Sequence, residues 1–160
     1  MFSVSLWWGN CYGQVTAPDL SQLESDVRNQ ITSQQNSLSA TVKDPRASNA
    51  QLSEAYGAMG EIYHAYSLTA PARECYVNAN RLAPQDFRWI YLLAKLDQLE
   101  SRVDEAIRRF RQVLTLQPKM MAAHANLGNI YLELNRLDDA EQSFTAALDI
   151  EKQNPAAHYG

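Results

Sequence analysis

This sequence has few of the residues that carry out chemistry. It contains two cysteines and three histidines among 160 residues, and Cys11 and Cys75 form no metal-binding or redox motif. No glycine-rich loop follows a predicted strand, and no nucleophile stands beside a base in a recognisable arrangement. We therefore expect a protein that is not an enzyme, with no catalytic residues, no cofactor and no metal.

The chain also lacks an excess of positive charge and any long apolar run. Lysine and arginine number 14 against 18 acidic residues, a net charge of −4. Nucleic-acid binding needs a clustered basic surface. Arg108, Arg109 and Arg111 do cluster, but Asp104 and Glu105 precede them, and we interpret them as a solvated helix face. No stretch approaches the 18 or so apolar residues of a membrane span, so we predict no nucleic-acid partner and no membrane span.

The sequence does contain a pattern that recurs every 34 residues. Its columns hold small, aromatic or aliphatic side chains, and the clearest are Gly60, Ala94 and Gly128; Tyr63, Asp97 and Tyr131; Ala72, Ala106 and Ala140; and Tyr76, Phe110 and Phe144. A period of this length is typical of stacked helical repeats. We predict an all-α fold, an α-solenoid of antiparallel helix pairs, with three full repeats and the start of a fourth.

Within each repeat, two helical patterns of about a dozen residues follow one another. In the third repeat, helical spacing predicts two buried stripes, made of Leu127, Ile130, Tyr131 and Leu134, and of Ala140, Phe144, Ala147 and Leu148. Small residues allow two helices to approach closely. We expect Gly60, Ala94 and Gly128 at these contacts, with the alanines Ala72, Ala106 and Ala140 opposite.

The repeated residues resemble the tetratricopeptide repeat family. Its pattern is matched in the first and third repeats by Tyr56, Met59, Gly60, Tyr63, Ala72, Tyr76, Ala79 and Pro84, and by Leu127, Gly128, Tyr131, Ala140, Phe144 and Ala147. The second repeat departs from it at Ala94 and Asp97. The resemblance covers Ser53 to Asn154. It implies a right-handed superhelix whose concave face, lined by the first helix of each pair, grips a peptide or a partner helix.

The segments outside the repeats have their own patterns. We divide the chain into an N-terminal tail or signal-peptide remnant (1–17), an amphipathic capping helix (18–45), three repeats (49–86, 87–120 and 121–154) and the start of a truncated fourth repeat (155–160). A coiled-coil arm is an alternative for the capping helix. Ser48 and Gln51 form a capping-box pattern, which predicts a helix start near Asn49.

The first 17 residues leave the localisation open. Their apolar start and the small residues after Cys11 resemble the tail of a secretory signal, which would favour an exported or periplasmic protein. A loose tail and a cytoplasmic protein are the alternative. At the other end, Pro155 to His158 repeats the pattern of Met121 to His124, which predicts truncation and an open end that can self-associate. His124 and His158 are interpreted as packing residues rather than as a shared metal site.

The exposed face of the first helices is the candidate partner-binding site. Spacings of three and four residues keep each set on one side of its helix: Glu54, Gly57, Glu61 and His64; Arg88, Tyr91, Lys95 and Gln98; and Ala125, Asn126, Asn129 and Glu133. Amide side chains at Asn126 and Asn129 suit the backbone of an extended peptide, and Arg88 and Lys95 suit a carboxylate. An ordinary wetted helix face is the alternative.

These patterns predict a protein–protein interaction module, a scaffold or adaptor, that binds a peptide or partner helix in a concave groove. The alternative is an N-terminal docking or regulatory arm of a larger enzyme that continues past Gly160. A carboxylate clamp of the kind found in some family members is disfavoured, because Tyr91 and Ala125 stand where that motif has lysine.

Overall fold

The computed structural model describes residues 15–152, and every regular element in this part is an α-helix. The helices in chain order are α1 (Ser25–Lys43), α2 (Asn49–Ala65), α3 (Thr69–Leu82), α4 (Phe87–Leu99), α5 (Val103–Leu116), α6 (Met121–Glu133) and α7 (Leu137–Lys152). The predicted all-α fold of helix pairs is confirmed. The chain divides into two compact units, one ending at Gln85 and one starting at Asp86.

In the first unit, α1 packs on α2 and α2 packs on α3. Helix α2 begins as predicted, because the side chain of Ser48 accepts from the backbone N–H of Gln51 and the Gln51 side chain accepts from the backbone of Ser48. The core of this unit is apolar and aromatic, and its buried side chains include Ile31, Leu38, Leu52, Tyr56, Met59, Tyr63, Ala72, Cys75, Tyr76 and Ala79.

In the second unit, α4 packs on α5, α5 on α6 and α6 on α7. One hydrophobic cluster joins the four helices, with Ile90, Ala94, Ala106, Ile107, Phe110, Val113, Ala123, Leu127, Ile130, Tyr131 and Ala140 buried in it. Two predicted core positions are wrong, because Leu134 and Leu148 are 44% and 53% exposed. Leu134 follows the last residue of α6, where the helical spacing that predicted its burial no longer applies.

A close helix contact forms at the predicted glycines. A Cβ atom added to Gly128 would lie 2.6 Å from a ring carbon of Phe144, and one added to Gly60 would lie 2.6 Å from a ring carbon of Tyr76. The nearest neighbour of each glycine is thus an aromatic ring of the second helix. The glycine column is therefore explained by the space that the ring takes up.

The first helix of every pair ends in the same backbone motif. Ser67, Ser101 and Asn135 lie 34 residues apart and all have positive φ, at 58°, 58° and 55°. The next residue donates its N–H to the carbonyl five positions back, as from Arg102 to Asp97 at 2.8 Å. These bonds define a Schellman motif, which satisfies carbonyls that would otherwise lack partners.

Some predictions fall on residues 1–14 and 153–160, which lie outside the described part of the chain. They are the signal remnant with Cys11, and the start of a fourth repeat with His158. Between residues 15 and 152, no helix is long and apolar enough to cross a membrane.

Candidate functional site

Four polar side chains from α4 and α6 form one connected cluster, which we name the α4/α6 polar face. The ammonium of Lys95 donates to the side-chain oxygens of Asn126 at 3.2 Å and Gln98 at 3.3 Å. The amide nitrogen of Asn126 donates to the hydroxyl of Tyr91 at 3.3 Å and to the carbonyl of Ala122 at 2.6 Å. The first helices of the second and third repeats are thus linked through their predicted partner-binding residues.

The bonds of this cluster fix the orientation of its groups. The Asn126 amide is held on both sides, because its oxygen accepts from Lys95 while its nitrogen donates to Tyr91 and Ala122. All four side chains are half-buried, and the ring of Tyr91 packs edge-on against Phe110 with centroids 5.7 Å apart. Such a surface is ordered before any ligand arrives, which lowers the entropic cost of binding.

Asn129 and Glu133 extend this face along α6. They follow Asn126 by three and seven residues, which places all three on one side of the helix, and both are exposed. The hydrogen-bonded cluster, these two exposed residues and Arg88 are the predicted partner-binding residues of the second unit.

Arg88 is engaged within its own helix. Its guanidinium contacts the carboxylate of Asp86 at 2.6 Å and stacks 4.6 Å from the centroid of the Trp89 ring. Asp86 is also the N-cap of α4 and accepts from the backbone N–H of Arg88 at 3.0 Å. Partial burial acts to raise the pKa of Asp86, but the hydrogen bonds from Arg88 outweigh it and hold that pKa below its usual value. Arg88 therefore already has a carboxylate partner, which the sequence pattern did not reveal.

In the first unit, two of the predicted site residues are exposed and the third is half-buried. Glu54 and Glu61 are exposed on α2. His64 is half-buried, with Nδ1 3.4 Å from the Tyr76 hydroxyl and the two rings edge-to-face at 6.1 Å. Gly57 is buried, so its assignment to the exposed face is wrong.

A buried ion cluster in the second repeat was missed by the sequence analysis. Asp97 takes the place of the motif tyrosine and is fully buried. Its carboxylate pairs with Arg102, 3.0 Å away, and with Arg109. Arg109 is therefore not part of a solvated face, because its side chain is only 22% exposed. The unusual Asp97 in a tyrosine column was the available signal, since a buried acid requires a basic partner.

The remaining reactive side chains of residues 15–152 do not lie together in one site. Cys75 is a free, buried cysteine, and burial raises the pKa of its thiol well above the usual value. The His124 Nε2 atom lies 3.0 Å from the carbonyl oxygen of Pro118. Across residues 15–152, no group of three or more histidine, cysteine, aspartate or glutamate side chains is placed to hold a metal ion.

Comparison with known proteins gives a family match for part of the chain. A family model described as tetratricopeptide repeat matches residues 99–160. This part of the chain is similar to tetratricopeptide repeats. The matched region includes the third repeat, whose Gly128 and Tyr131 fit the family pattern closely.

Solved structures share the fold of this chain. MamA from Desulfovibrio magneticus RS-1 superposes with a TM-score of 0.69 at 18% identity, over 85% of this chain and 72% of that one. BtubC from P. vanneervenii gives a TM-score of 0.73 at 18% identity, over 84% of this chain and 59% of that one. At this level of identity the likeness establishes the helical-repeat fold alone.

One curated relative is a much larger protein. The chain is 25% identical over 116 residues to the human protein O-mannosyl-transferase TMTC3, which covers 63% of this chain and 13% of the relative. The mouse protein of the same name is 29% identical over 82 residues, 9% of its length. This chain therefore corresponds to a small part of those proteins.

Proposed function

We propose that this chain is a protein–protein interaction module and that its α4/α6 polar face binds an extended peptide segment of a partner. Repeat proteins of this fold present helix faces to other polypeptides and are typically scaffolds rather than catalysts. The observation that carries the proposal is the hydrogen-bonded set of Tyr91, Lys95 and Asn126, which joins the first helices of two consecutive repeats.

The chemistry of this face suits a peptide backbone and a carboxylate. An ammonium has three N–H donors, and the Asn126 and Gln98 oxygens use two of those on Lys95, so the third can bind a peptide carbonyl or carboxylate. The exposed amide of Asn129 can donate to and accept from an extended backbone. Tyr91 adds contact area from a ring that packing already holds in place.

The test compares two charge reversals. Peptides are selected from a random library on the immobilised chain, and their dissociation constants are measured for the wild type, Lys95→Glu and Lys119→Glu. Lys119 lies in the exposed turn before α6 and serves as the matched control. We expect a loss of about tenfold or more for Lys95→Glu, because a charged hydrogen-bond donor is worth about 1.5–3 kcal/mol, and little change for the control.

Equal affinity in both variants would contradict the proposal. If Lys95→Glu loses its helical circular dichroism, the comparison is made with Lys95→Gln, which removes the charge and keeps hydrogen bonding. A folded Lys95→Gln variant that binds the peptides as tightly as the wild type would also contradict the proposal.

A docking arm of a larger enzyme is a second candidate. It is supported by the similarity to part of a protein named as an O-mannosyl-transferase, of which this chain spans only 13%. The sequence of the source gene tests this candidate, because a docking arm requires an in-frame catalytic region after the codon for Gly160. A stop codon directly after that position in the natural gene would exclude this candidate and leave the interaction module.

A further inference from the structure

In the first unit, a segment of the chain without regular secondary structure is hydrogen-bonded to α3. The backbone N–H and the hydroxyl of Thr16 both donate to the carboxylate of Glu74 on α3, the hydroxyl at 3.0 Å. The preceding Val15 is only 8% exposed. One side chain of α3 thus holds a threonine, and the β-branched apolar residue before it is buried.

The second unit has a cleft beside the residue that is equivalent to Glu74 in the 34-residue period. Gln142 on α7 lies two 34-residue periods after Glu74, and it lines a cleft of about 230 Å³ between α5, α6 and α7. Leu114, Leu127 and Ala146 provide apolar wall, while Arg111 stands at the rim with its guanidinium 5.9 Å from the Tyr131 ring centroid. The helices α5, α6 and α7 pack consecutively, as α1, α2 and α3 do in the first unit.

We infer that this cleft is a second peptide-binding site, which takes an extended partner segment with a β-branched apolar residue followed by a hydroxyl residue. The volume favours such a segment, because small-molecule pockets usually span about 300–1,000 Å³ and this cleft has room for one or two side chains. The apolar wall receives the β-branched side chain. The amide of Gln142 accepts a backbone N–H and donates to a backbone carbonyl, and Arg111 pairs with an acidic residue further along the segment.

This site is distinct from the α4/α6 polar face. The two use different sides of α6, since the cleft contains Leu127 and Tyr131 while the polar face contains Asn126 and Asn129. Binding at one site therefore can be tested while the other is disabled.

The probe is a capped synthetic peptide with the sequence of residues 15–24, VTAPDLSQLE, added to the ¹⁵N-labelled full chain. We expect saturable NMR shifts in the side-chain amide of Gln142 and the backbone amide of Ala146. Gln142→Ala should weaken binding by about tenfold through the lost hydrogen bonds, and Gln142→Glu, which copies Glu74, should retain it. Gln112→Ala, an exposed change on α5, is the matched control and should have no effect.

The outcomes separate the site from its alternatives. Lys95→Glu should leave peptide binding at the cleft unchanged, so failure of the α4/α6 proposal does not affect this result. Shifts confined to α3 around Glu74 would mean that the peptide only replaces the chain's own segment, and would overturn the inference. Equal affinity for Gln142→Ala and the wild type would overturn it as well, as would a spectrum without shifts in α5–α7 at millimolar peptide.

Discussion

At the scale of single residues, Asp97 departs from the repeat pattern of this chain. The same column holds Tyr63 in the first repeat and Tyr131 in the third, both buried. A carboxylate in that place loses its hydration, and the guanidinium groups of Arg102 and Arg109 replace it. Arg102 also contacts Glu100 at 2.9 Å, so the cluster extends to the helix end.

Removal of one arginine from this cluster should destabilise the chain strongly. Arg109→Met leaves a fully buried carboxylate with Arg102 as its remaining cluster partner, and we expect the free energy of unfolding to fall by about 3 kcal/mol. Urea unfolding followed by circular dichroism measures this change in the free energy of unfolding. Arg108→Met is the matched control, because this neighbouring side chain is exposed and should change stability by less than about 0.5 kcal/mol. Similar values for the two variants would mean that the cluster contributes nothing.

Residue-scale prediction from sequence succeeded where a column was apolar and failed where burial depends on neighbours. The burial of Leu127, Ile130 and Tyr131 followed from helical spacing and is confirmed. The exposure of Leu148 and the ion pair of Arg109 could not be predicted from helical spacing. Both depend on which side chain lies across from the residue in space, and periodicity alone carries no such information.

At the scale of elements, the three Schellman motifs combine one backbone geometry with different residue pairs. This motif usually brings the residue after the left-handed position against the third-last helical residue through an apolar contact. The residues at these two positions are Leu68 and Tyr63, Arg102 and Asp97, and Arg136 and Tyr131. The second is an ion pair at 3.0 Å, and in the third the guanidinium lies 4.6 Å from the ring centroid.

The role of the left-handed residue in these motifs can be tested by comparing a serine-to-glycine substitution at Ser101 with the same substitution inside a helix. Ser101 has φ of 58°, where a side chain costs energy and glycine does not. Ser101→Gly should therefore raise the free energy of unfolding by about 0.5–1 kcal/mol. Ser33→Gly, in the interior of α1 and exposed, should lower it because glycine is a poor helix former. Changes of the same sign at both sites would contradict the assigned role of Ser101.

The glycine–ring contact between α6 and α7 makes a graded prediction. Gly128→Leu forces the ring of Phe144 away, and we expect a loss of about 1–3 kcal/mol or more. Gly128→Ala should cost less, because the second repeat already places Ala94 and Phe110 in the equivalent positions and buries both fully. Thermal unfolding of both variants measures which substitution costs more stability. A leucine variant as stable as the wild type would show that the contact is loose.

At the scale of the whole chain, the 34-residue period was sufficient to predict the helix pairs, because it sets which residues face the partner helix in each repeat. The same period could not predict how side chains of different repeats combine. The bonds from Lys95 and Tyr91 to Asn126 join residues 31 and 35 positions apart, and only the packing of α4, α5 and α6 brings them together. Arg88 was predicted beside Lys95 as a ligand group, and its pairing with Asp86 was not foreseen.

The most direct test of the account is an NMR map of the labelled full chain with a library-selected peptide bound. If this chain binds partners through the first helices of its repeats, the largest amide shifts will fall on Tyr91, Lys95, Gln98, Asn126 and Asn129. Lys95→Glu will need about tenfold or more peptide to reach the same shifts, with the rest of the spectrum unaltered. Shifts that avoid α4 and α6, or that reach half saturation at the same peptide concentration in Lys95→Glu, would contradict it.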